Sequence, residues 1–318
     1  MNILVTGAFG NIGTRTVREL LQRGEHTVAC FDLKTAKNLK TAKTFGNQIE
    51  LFWGDLLELD SLKSAVVGRD VVIHLAAIIP PRAEKEPEYT QQVNVNGTQT
   101  VVNLLSALDP PPRLLFCSSV SVFGDTFNLP PPRTVTDPLY PTDVYARSKV
   151  ACEEIIHKSG LNAVIFRLGA ATPPEMSSND SMMFTIRLDS RMEFVHPDDV
   201  ARAIANALVC DEVWGNTYLI GGGKDCQILF RDFFNGIMTA VGIGMLPDAA
   251  FGDQPFYIDW LDTEESERLL HYQQKTFRDF LQELKKAMGH KTIIIKMMRP
   301  LIRCMLLNTS PYWKTRNK

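Results

Sequence analysis

The feature that most constrains this chain lies in its first two dozen residues. A short apolar run, Asn2–Thr6 (NILVT), leads into a glycine-rich turn, T-G-A-F-G-N-I-G at 6–13. The turn leads into a helical pattern over Asn11–Arg23, with Ile12, Val17, Leu20 and Leu21 on one face and Gly24 as its stop. In such a strand–turn–helix, Gly7 permits the tight turn, Gly10 lets the main chain approach a pyrophosphate, and Gly13 lets the helix pack closely on the strand. The start of the helix then offers free N–H groups and the positive end of its dipole to the phosphates.

The rest of the first half repeats the alternation. Strands are predicted at Thr27–Phe31, Ile49–Trp53, Val71–Leu75, Arg113–Cys117 and Ala163–Leu168, with helices at Leu59–Val67, Glu88–Leu108 and Asp143–Lys158. That rhythm implies an α/β chain: a Rossmann-type doubly wound parallel sheet covered by helices on both faces. After residue 168 it changes to helices at Pro197–Cys210, Phe230–Val241 and Thr276–Met288 around one short strand, Asn216–Ile220. Three parts are expected: a dinucleotide-binding domain with the catalytic residues over 1–168, a smaller and mostly helical substrate lobe over 169–290 interleaved with the core sheet, and a tail over 291–318.

Composition narrows the function classes. The net charge of −2 gives no reason to expect nucleic acid as a partner. The six cysteines are scattered without a CxxC pair, so neither a disulfide framework nor a metal cage is indicated, and no His/Asp/Glu spacing suggests a metal. The N-terminus has no secretory signal, and no stretch of about 18 apolar residues spans a bilayer. These features make a cytoplasmic protein the expectation.

Five side chains point to cofactor binding or chemistry. Asp32, at the end of the second strand, would accept hydrogen bonds from the adenosine ribose hydroxyls and repel a 2′-phosphate, which favours NAD over NADP; Lys34 and Lys37 soften that preference. Asp55, in W-G-D-L, is either an acceptor for the adenine amino group or a turn aspartate. Y-A-R-S-K at 145–149 puts Tyr145 and Lys149 on one helical face. A phenol titrates at about 10 unperturbed. A nearby ammonium and a positive nicotinamide ring would lower that value and suit the phenol to proton transfer. Ser119 closes the fifth strand, whose carboxyl end faces the ligand crevice of a parallel sheet.

Together these segments resemble the extended short-chain dehydrogenase/reductases, the NAD-dependent epimerase/dehydratase family. The resemblance runs over about residues 1–288. It is carried by T-G-A-F-G-N-I-G, Asp32, G-D-L at 54–56, H-L-A-A at 74–77, N-V-N-G-T at 94–98, S-S-V-S-V-F-G at 118–124, Y-A-R-S-K, F-R-L-G at 166–169 and F-V-H-P-D-D-V-A at 194–201. It implies Tyr145 as acid/base, Lys149 on the nicotinamide ribose, Ser119 and Ser121 at the substrate oxygen, and Asn94 holding the backbone around the site. Cofactor contacts implied are Gly7, Phe9, Gly10, Asn11, Ile12, Gly13, Asp32, Asp55, Leu56, Leu75, Ala76, Ala77, Tyr145 and Lys149. Arg167 and the loop after it would sit near the nicotinamide end, and Arg191 would hold a substrate phosphate. His74 and His196 read as framework.

The chain departs from the family in three places. Phe123 replaces a usual tyrosine, and no acid follows Ser119, which argues against sugar 4,6-dehydration. Only 23 residues separate Gly169 from Glu193. There Met176, Met182, Met183, Met192 and Phe184 either line an apolar pocket or fill the core of the smaller lobe. The expected activity is NAD-dependent hydride transfer at a secondary alcohol or carbonyl of a sugar, nucleotide sugar or small ketone, by a homodimer. The alternative is a non-catalytic NAD(P)-binding sensor or structural subunit, and such relatives tend to lose the tyrosine or lysine that this chain keeps.

The tail has its own character. Residues 291–318 hold seven Lys/Arg and no acid, whereas residues 1–290 hold 27 basic against 36 acidic residues. Thr292–Leu307 is apolar, with Lys296, Arg299 and Arg303 forming one stripe at helical spacing and Pro300 interrupting it. It is suited to peripheral contact with an anionic membrane, to docking on its own domain or to packing between subunits.

Overall fold

The computed structural model describes residues 1–172, 181–254 and 257–313, the side chains of residues 181 and 182 apart. From the N-terminus run β1 (Asn2–Thr6), α1 (Asn11–Arg23), β2 (Thr27–Asp32), α2 (Ala36–Lys43), β3 (Glu50–Trp53), α3 (Leu59–Val66) and β4 (Val71–His74). Then come the short α4 (Arg82–Lys85) and α5 (Pro87–Thr90), a π-helical stretch over Gln91–Asn96, α6 (Gly97–Ser106), β5 (Arg113–Ser119), α7 (Val144–Lys158) and β6 (Ala163–Leu168). The second half holds β7 (Arg191–Glu193), α8 (Pro197–Ala207), β8 (Thr217–Ile220), β9 (Gln227–Leu229), α9 (Phe230–Ala240), α10 (Glu264–Leu270), α11 (Phe277–Met288), α12 (Lys291–Met297) and α13 (Arg299–Thr309).

Alternate residues of the central strands turn to opposite faces, and both faces are apolar. Ile3, Val5, Val28, Cys30, Val71 and Ile73 join one core cluster with Val17 and Leu20 of α1 and Val200 and Ile204 of α8. Leu4, Ala29, Phe31 and Val72 join the other, with Leu62 of α3, Val101 and Leu105 of α6, and Cys152 and Ile156 of α7. Strands buried on both sides pair in parallel because helical crossovers cover both faces. The observed order is β3-β2-β1-β4-β5-β6-β8, every pair parallel, as expected for the doubly wound fold. Six strands come from residues 1–168, and β8 of the second half extends the edge beside β6. Strand order reverses between β1 and β4, and a crevice opens beyond their carboxyl ends.

One predicted element differs. The helix expected over 88–108 is interrupted by the π-helical turn, which gathers Asn94 into the interior. The tail forms two helices broken at Met298, two residues before Pro300, in line with the interruption expected there. The smaller lobe has a third apolar cluster, built from Phe184, Phe194, Phe230, Phe234, Phe251 and Phe280, with β7 and β9 paired antiparallel at its edge. Phe184 and Met183 therefore serve core packing, Met192 is both core and crevice wall, and Met176 and the Met182 side chain lie outside the described residues.

Candidate active site

The glycine turn is shaped by steric need. Gly7 has φ +66°, and a Cβ there would meet the Ala76 backbone nitrogen at 2.7 Å. At Gly13 a Cβ would strike the Gly7 carbonyl oxygen and come within 2.8 Å of the Ala8 carbonyl. Gly10 caps α1 with no side chain, so the first-turn N–H groups stay available to an anion.

One arm of the crevice, about 230 Å³, is lined by Gly7, Phe9, Gly10, Asp32, Asp55, Leu56, Leu75, Ala76 and Ala77. The Asp32 carboxylate accepts from the Phe9 and Leu33 N–H groups at 2.8 Å each and from the Asn38 amide at 3.0 Å. Burial raises its pKa, and the two backbone donors pull it back. Asn38 has no sequence signal apart from its place after a helix cap, yet it fixes the carboxylate. Asp55 accepts from Leu57 N–H at 3.1 Å, so it is a turn residue that also lines this arm.

The second arm, about 520 Å³, starts at Gly7, Gly10, Asn11, Ile12 and Gly13 and runs past Ser119, Tyr145 and Lys149. Strand β5 delivers Ser119 at its carboxyl end, and α7 delivers Tyr145 and Lys149 one turn apart, with Asp143 capping the helix through the Ala146 N–H at 2.6 Å. The Ser119 hydroxyl lies close enough to the Tyr145 phenol to act on its titration. Ser121 donates from its hydroxyl and its N–H to Ser119 Oγ at 2.9 and 3.2 Å. Ser121 is itself buried and lies outside the lining of this arm, and its contact is with Ser119.

The electrostatics differ from the expected lowering of the tyrosine pKa by lysine. Burial pushes the Tyr145 phenol above its ordinary value, and the hydrogen bond from Ser119 opposes this. Lys149 is buried, which lowers its own pKa, and its ammonium donates to the Cys117 carbonyl at 2.8 Å. It lies 4.6 Å from the Phe116 ring centroid and 5.8 Å from that of Tyr145. Asn94 holds the floor: its amide accepts from Ile78 N–H at 2.7 Å and donates to the Ile78 carbonyl at 3.0 Å and to Ser148 Oγ at 2.9 Å.

Two arginines are placed otherwise than expected. Arg167 turns away from the nicotinamide end and forms a buried ion pair with Glu153 of α7, 2.7 Å at its shortest, with its guanidinium over Phe123. Ser118 also donates to Glu153 at 2.5 Å. The loop after Arg167 does reach the crevice, through Leu168–Thr172. Arg191 binds the buried Asp259 through two nitrogens, at 2.6 and 3.1 Å, and donates to the Thr126 and Leu129 carbonyls at 3.0 and 2.8 Å. A buried carboxylate needs a counter-charge, and it holds the arginine that was expected on a substrate phosphate.

The histidines lie in the framework. Buried His74 bonds Thr6 and Thr98 hydroxyls at 2.7 and 3.1 Å, and burial pushes its pKa down to about 3, so it is neutral. His196 caps α8, accepting from Asp198 N–H at 3.1 Å. His196, Asp198 and Glu283 come together, but the Lys275 ammonium bonds both carboxylates at 2.7 Å and Arg15 pairs with Asp198 at 2.9 Å, so both acids already have counter-charges. Sequence reasoning missed the aromatic wall from α9, Phe230 and Phe233, though their spacing in F-R-D-F-F marks one helical face.

The chain is 34% identical over 164 residues to UDP-glucose 4-epimerase of Erwinia amylovora, a match covering 49% of this chain and 48% of that one. It spans about half the length of the first curated relatives it matches. A longer match, 27% identical over 307 residues, joins 87% of the chain to 94% of an uncharacterised UDP-glucose epimerase of Bacillus subtilis. A short-chain dehydrogenase/reductase superfamily protein from Agrobacterium tumefaciens, solved with bound NAD, shares the fold at TM-score 0.76 and 22% identity over 94% of this chain and all of that one. Residues 3–221, which include every element of the crevice up to β8, match the family described as NAD dependent epimerase/dehydratase, and the chain belongs to that family.

Proposed function

We propose that this chain binds NAD along the two arms of the crevice and transfers hydride at a secondary alcohol or carbonyl, with Ser119, Tyr145 and Lys149 as its working side chains. The observation that carries the reading is the continuity of the second arm, in which the glycine turn and these three residues line one cavity. The glycines leave room that a Cβ would fill, and the bare start of α1 faces the same space, so the residues present fit a dinucleotide. Gly7, Gly10, Asn11, Ile12 and Gly13 would hold the pyrophosphate and Asp32 the adenosine ribose. Lys149 would turn from the Cys117 carbonyl to the nicotinamide ribose.

NAD, when bound, supplies a hydride acceptor, a donor once reduced, and a positive ring that favours a phenolate nearby. The protein's part is proton transfer. Tyr145 takes the hydroxyl proton of an alcohol as the C–H bond gives up its hydride, and returns a proton to the oxygen in the reverse direction. Ser119, its own oxygen already accepting from Ser121, has one proton to give and would turn it from Tyr145 to the substrate oxygen. Release of the ketone makes a dehydrogenase, and return of the hydride to the opposite face makes an epimerase. Some relatives are named as each: UDP-glucose 4-epimerase and D-erythronate dehydrogenase.

Tyr145→Phe tests the assignment. It removes one hydroxyl and leaves the ring, so turnover falls by about 10²-fold or more while NAD affinity, measured by calorimetry, stays within a few-fold. Full turnover in that variant would show that another group moves the proton. Equal loss in Ser119→Ala and Tyr145→Phe, without further loss in the double variant, is expected of residues acting as a unit.

A further inference from the structure

Resting on the hydride-transfer reading, we propose that the substrate is an uncharged, apolar secondary alcohol or ketone, and that the crevice discriminates against nucleoside diphosphates. Beyond the three working side chains, the second arm is walled by Ile79, Pro80, Leu168, Met192, Phe233 and Ile258. Lys149 is the only cation among its described lining residues, and its task is at the cofactor end. Four arginines of the lobe and of the loop after β5 are bound to carboxylates: Arg191 to Asp259, Arg187 to Asp189, Arg231 to Asp248 and Arg133 to Asp137.

The sequence closes the remaining route to a phosphate site. Residues 170–186 and 252–262, which supply Ala170–Thr172 and Ile258 to the crevice, contain no lysine or arginine and five carboxylates. A pyrophosphate is recognised by guanidinium forks and ammonium groups that replace its hydration. Here it would leave water for an apolar wall, which is the costly direction of transfer. A ring or alkyl chain with one hydroxyl gains from the same wall, and its single oxygen meets Ser119 and Tyr145.

The test uses the NAD-saturated protein. Cyclohexanol, menthol, UDP and UDP-glucose are titrated by calorimetry, and formation of reduced nicotinamide is followed in parallel. The expected result is binding and oxidation of menthol or cyclohexanol with no response to either nucleotide. Ile258→Arg, in a partly exposed wall position, should weaken alcohol binding about tenfold or more while NAD still binds. A response to UDP or UDP-glucose, or none to either alcohol while NAD binds, overturns the substrate assignment. An alcohol that binds without reducing NAD leaves that assignment standing and instead contradicts the hydride-transfer reading.

A second surface stands on separate observations. In α12 and α13, Met297 is 80% exposed and Met305 61%, and Ile293, Ile294 and Leu301 are also exposed. The two arginines of the stripe bind the main chain of the body. Arg299 Nε donates to the Ile243 carbonyl at 2.8 Å, and Arg303 donates to the carbonyls of Ile243, Gly244 and Met245 at 3.2, 3.2 and 2.6 Å, closing the chain after α9. Polar groups thus satisfy the body while apolar side chains face out. From residue 284 to 318 the chain has nine Lys/Arg and no acid, and Lys285, Lys286, Lys291 and Lys296 are exposed.

From this charge pattern we infer that the α12–α13 segment docks on an anionic lipid surface, its apolar residues entering the headgroup boundary and its lysines meeting phosphates. A second copy of the chain is the weaker fit, because a two-fold contact would set these lysines against their own images. No helix among the described residues is long and apolar enough to cross a membrane, so the contact is peripheral.

Sedimentation of the full chain with phosphatidylcholine vesicles, with and without phosphatidylglycerol, tests this. Binding should require phosphatidylglycerol, weaken with added salt, and fall about tenfold or more in Met297→Asp and in Lys291→Glu/Lys296→Glu. These positions are exposed, so an unchanged thermal midpoint confirms that the variants fold. Absence of binding, or binding that Met297→Asp leaves intact, overturns the inference. So does a dimer in solution that Met297→Asp converts to monomer, which would assign the face to a second copy.

Discussion

A side chain at Gly13 has nowhere to go. Its Cβ would collide with the backbone of Gly7 and Ala8, and backbone cannot swing aside as a side chain can. Gly13→Ala should therefore force α1 away from β1, cost about 1–3 kcal/mol of stability, and weaken NAD binding by moving the first-turn N–H groups. Urea denaturation and NAD calorimetry on the same variant check both effects. That glycine was legible in the sequence because a strand, a turn and a helix leave few conformations for the chain between them. Tyr145, Lys149 and Ser119 were legible for the same reason, being set at fixed places on one helix and one strand end. Arg167 and Arg191 were not: a long flexible side chain takes its partner from tertiary neighbours, and Glu153 and Asp259 are 14 and 68 residues away.

At the level of elements, two buried carboxylates join pieces that the core alone would let slide. Glu153 ties α7 to β6 through Arg167 and to β5 through Ser118, so the helix carrying Tyr145 and Lys149 is fixed against the strand carrying Ser119. Removing one partner leaves a charge buried, and Arg167→Met should cost about 3–5 kcal/mol, read from the denaturation midpoint. Replacing both partners with apolar residues of similar volume should restore much of that loss. Glu193 of β7 accepts from Gly223 N–H at 3.0 Å, Gln227 Nε2 at 2.9 Å and Leu261 N–H at 2.8 Å, joining β7, β9 and two loops. Burial pushes its pKa up to about 7 despite these donors. The folded chain thus holds this proton more tightly than the unfolded chain, so Glu193 contributes most at low pH, and stability falls as pH rises from the ordinary carboxyl value through about 7. Glu193→Gln should flatten that slope, measured as urea midpoints across the range. The π-helical turn at Asn94 was hidden because its sequence reads as plain helix; it forms where the Asn94 amide meets Ile78 and Ser148, contacts that no local pattern encodes.

Across the whole molecule, the sheet and the smaller lobe are not separate bodies. Strand β8 belongs to the second half yet extends the main sheet, and Met192, Phe230 and Phe233 serve both the lobe's core and the crevice wall. The tail is part of this body too, with Ile295, Ile302, Leu306 and Leu307 packed on the lobe's cluster. Ending the chain at Gly289 should therefore cost about 1 kcal/mol for each such half-buried side chain and lower the thermal midpoint, whereas Met297→Asp should leave it unchanged. The doubly wound order followed from the alternation of strands and helices; the course of the tail did not, because its apolar residues exceed what the body covers and periodicity cannot say which ones lie inward.

In the proposed complex one continuous groove places nicotinamide against Tyr145 and Ser119. A crystal structure of the NAD complex measures it directly. Pyrophosphate is expected at the start of α1, adenosine ribose on Asp32, and the nicotinamide ring within contact of Tyr145 and Ser119, with the Lys149 ammonium moved from Cys117 to the ribose. Nicotinamide lying elsewhere, with Lys149 still on the Cys117 carbonyl, would contradict it.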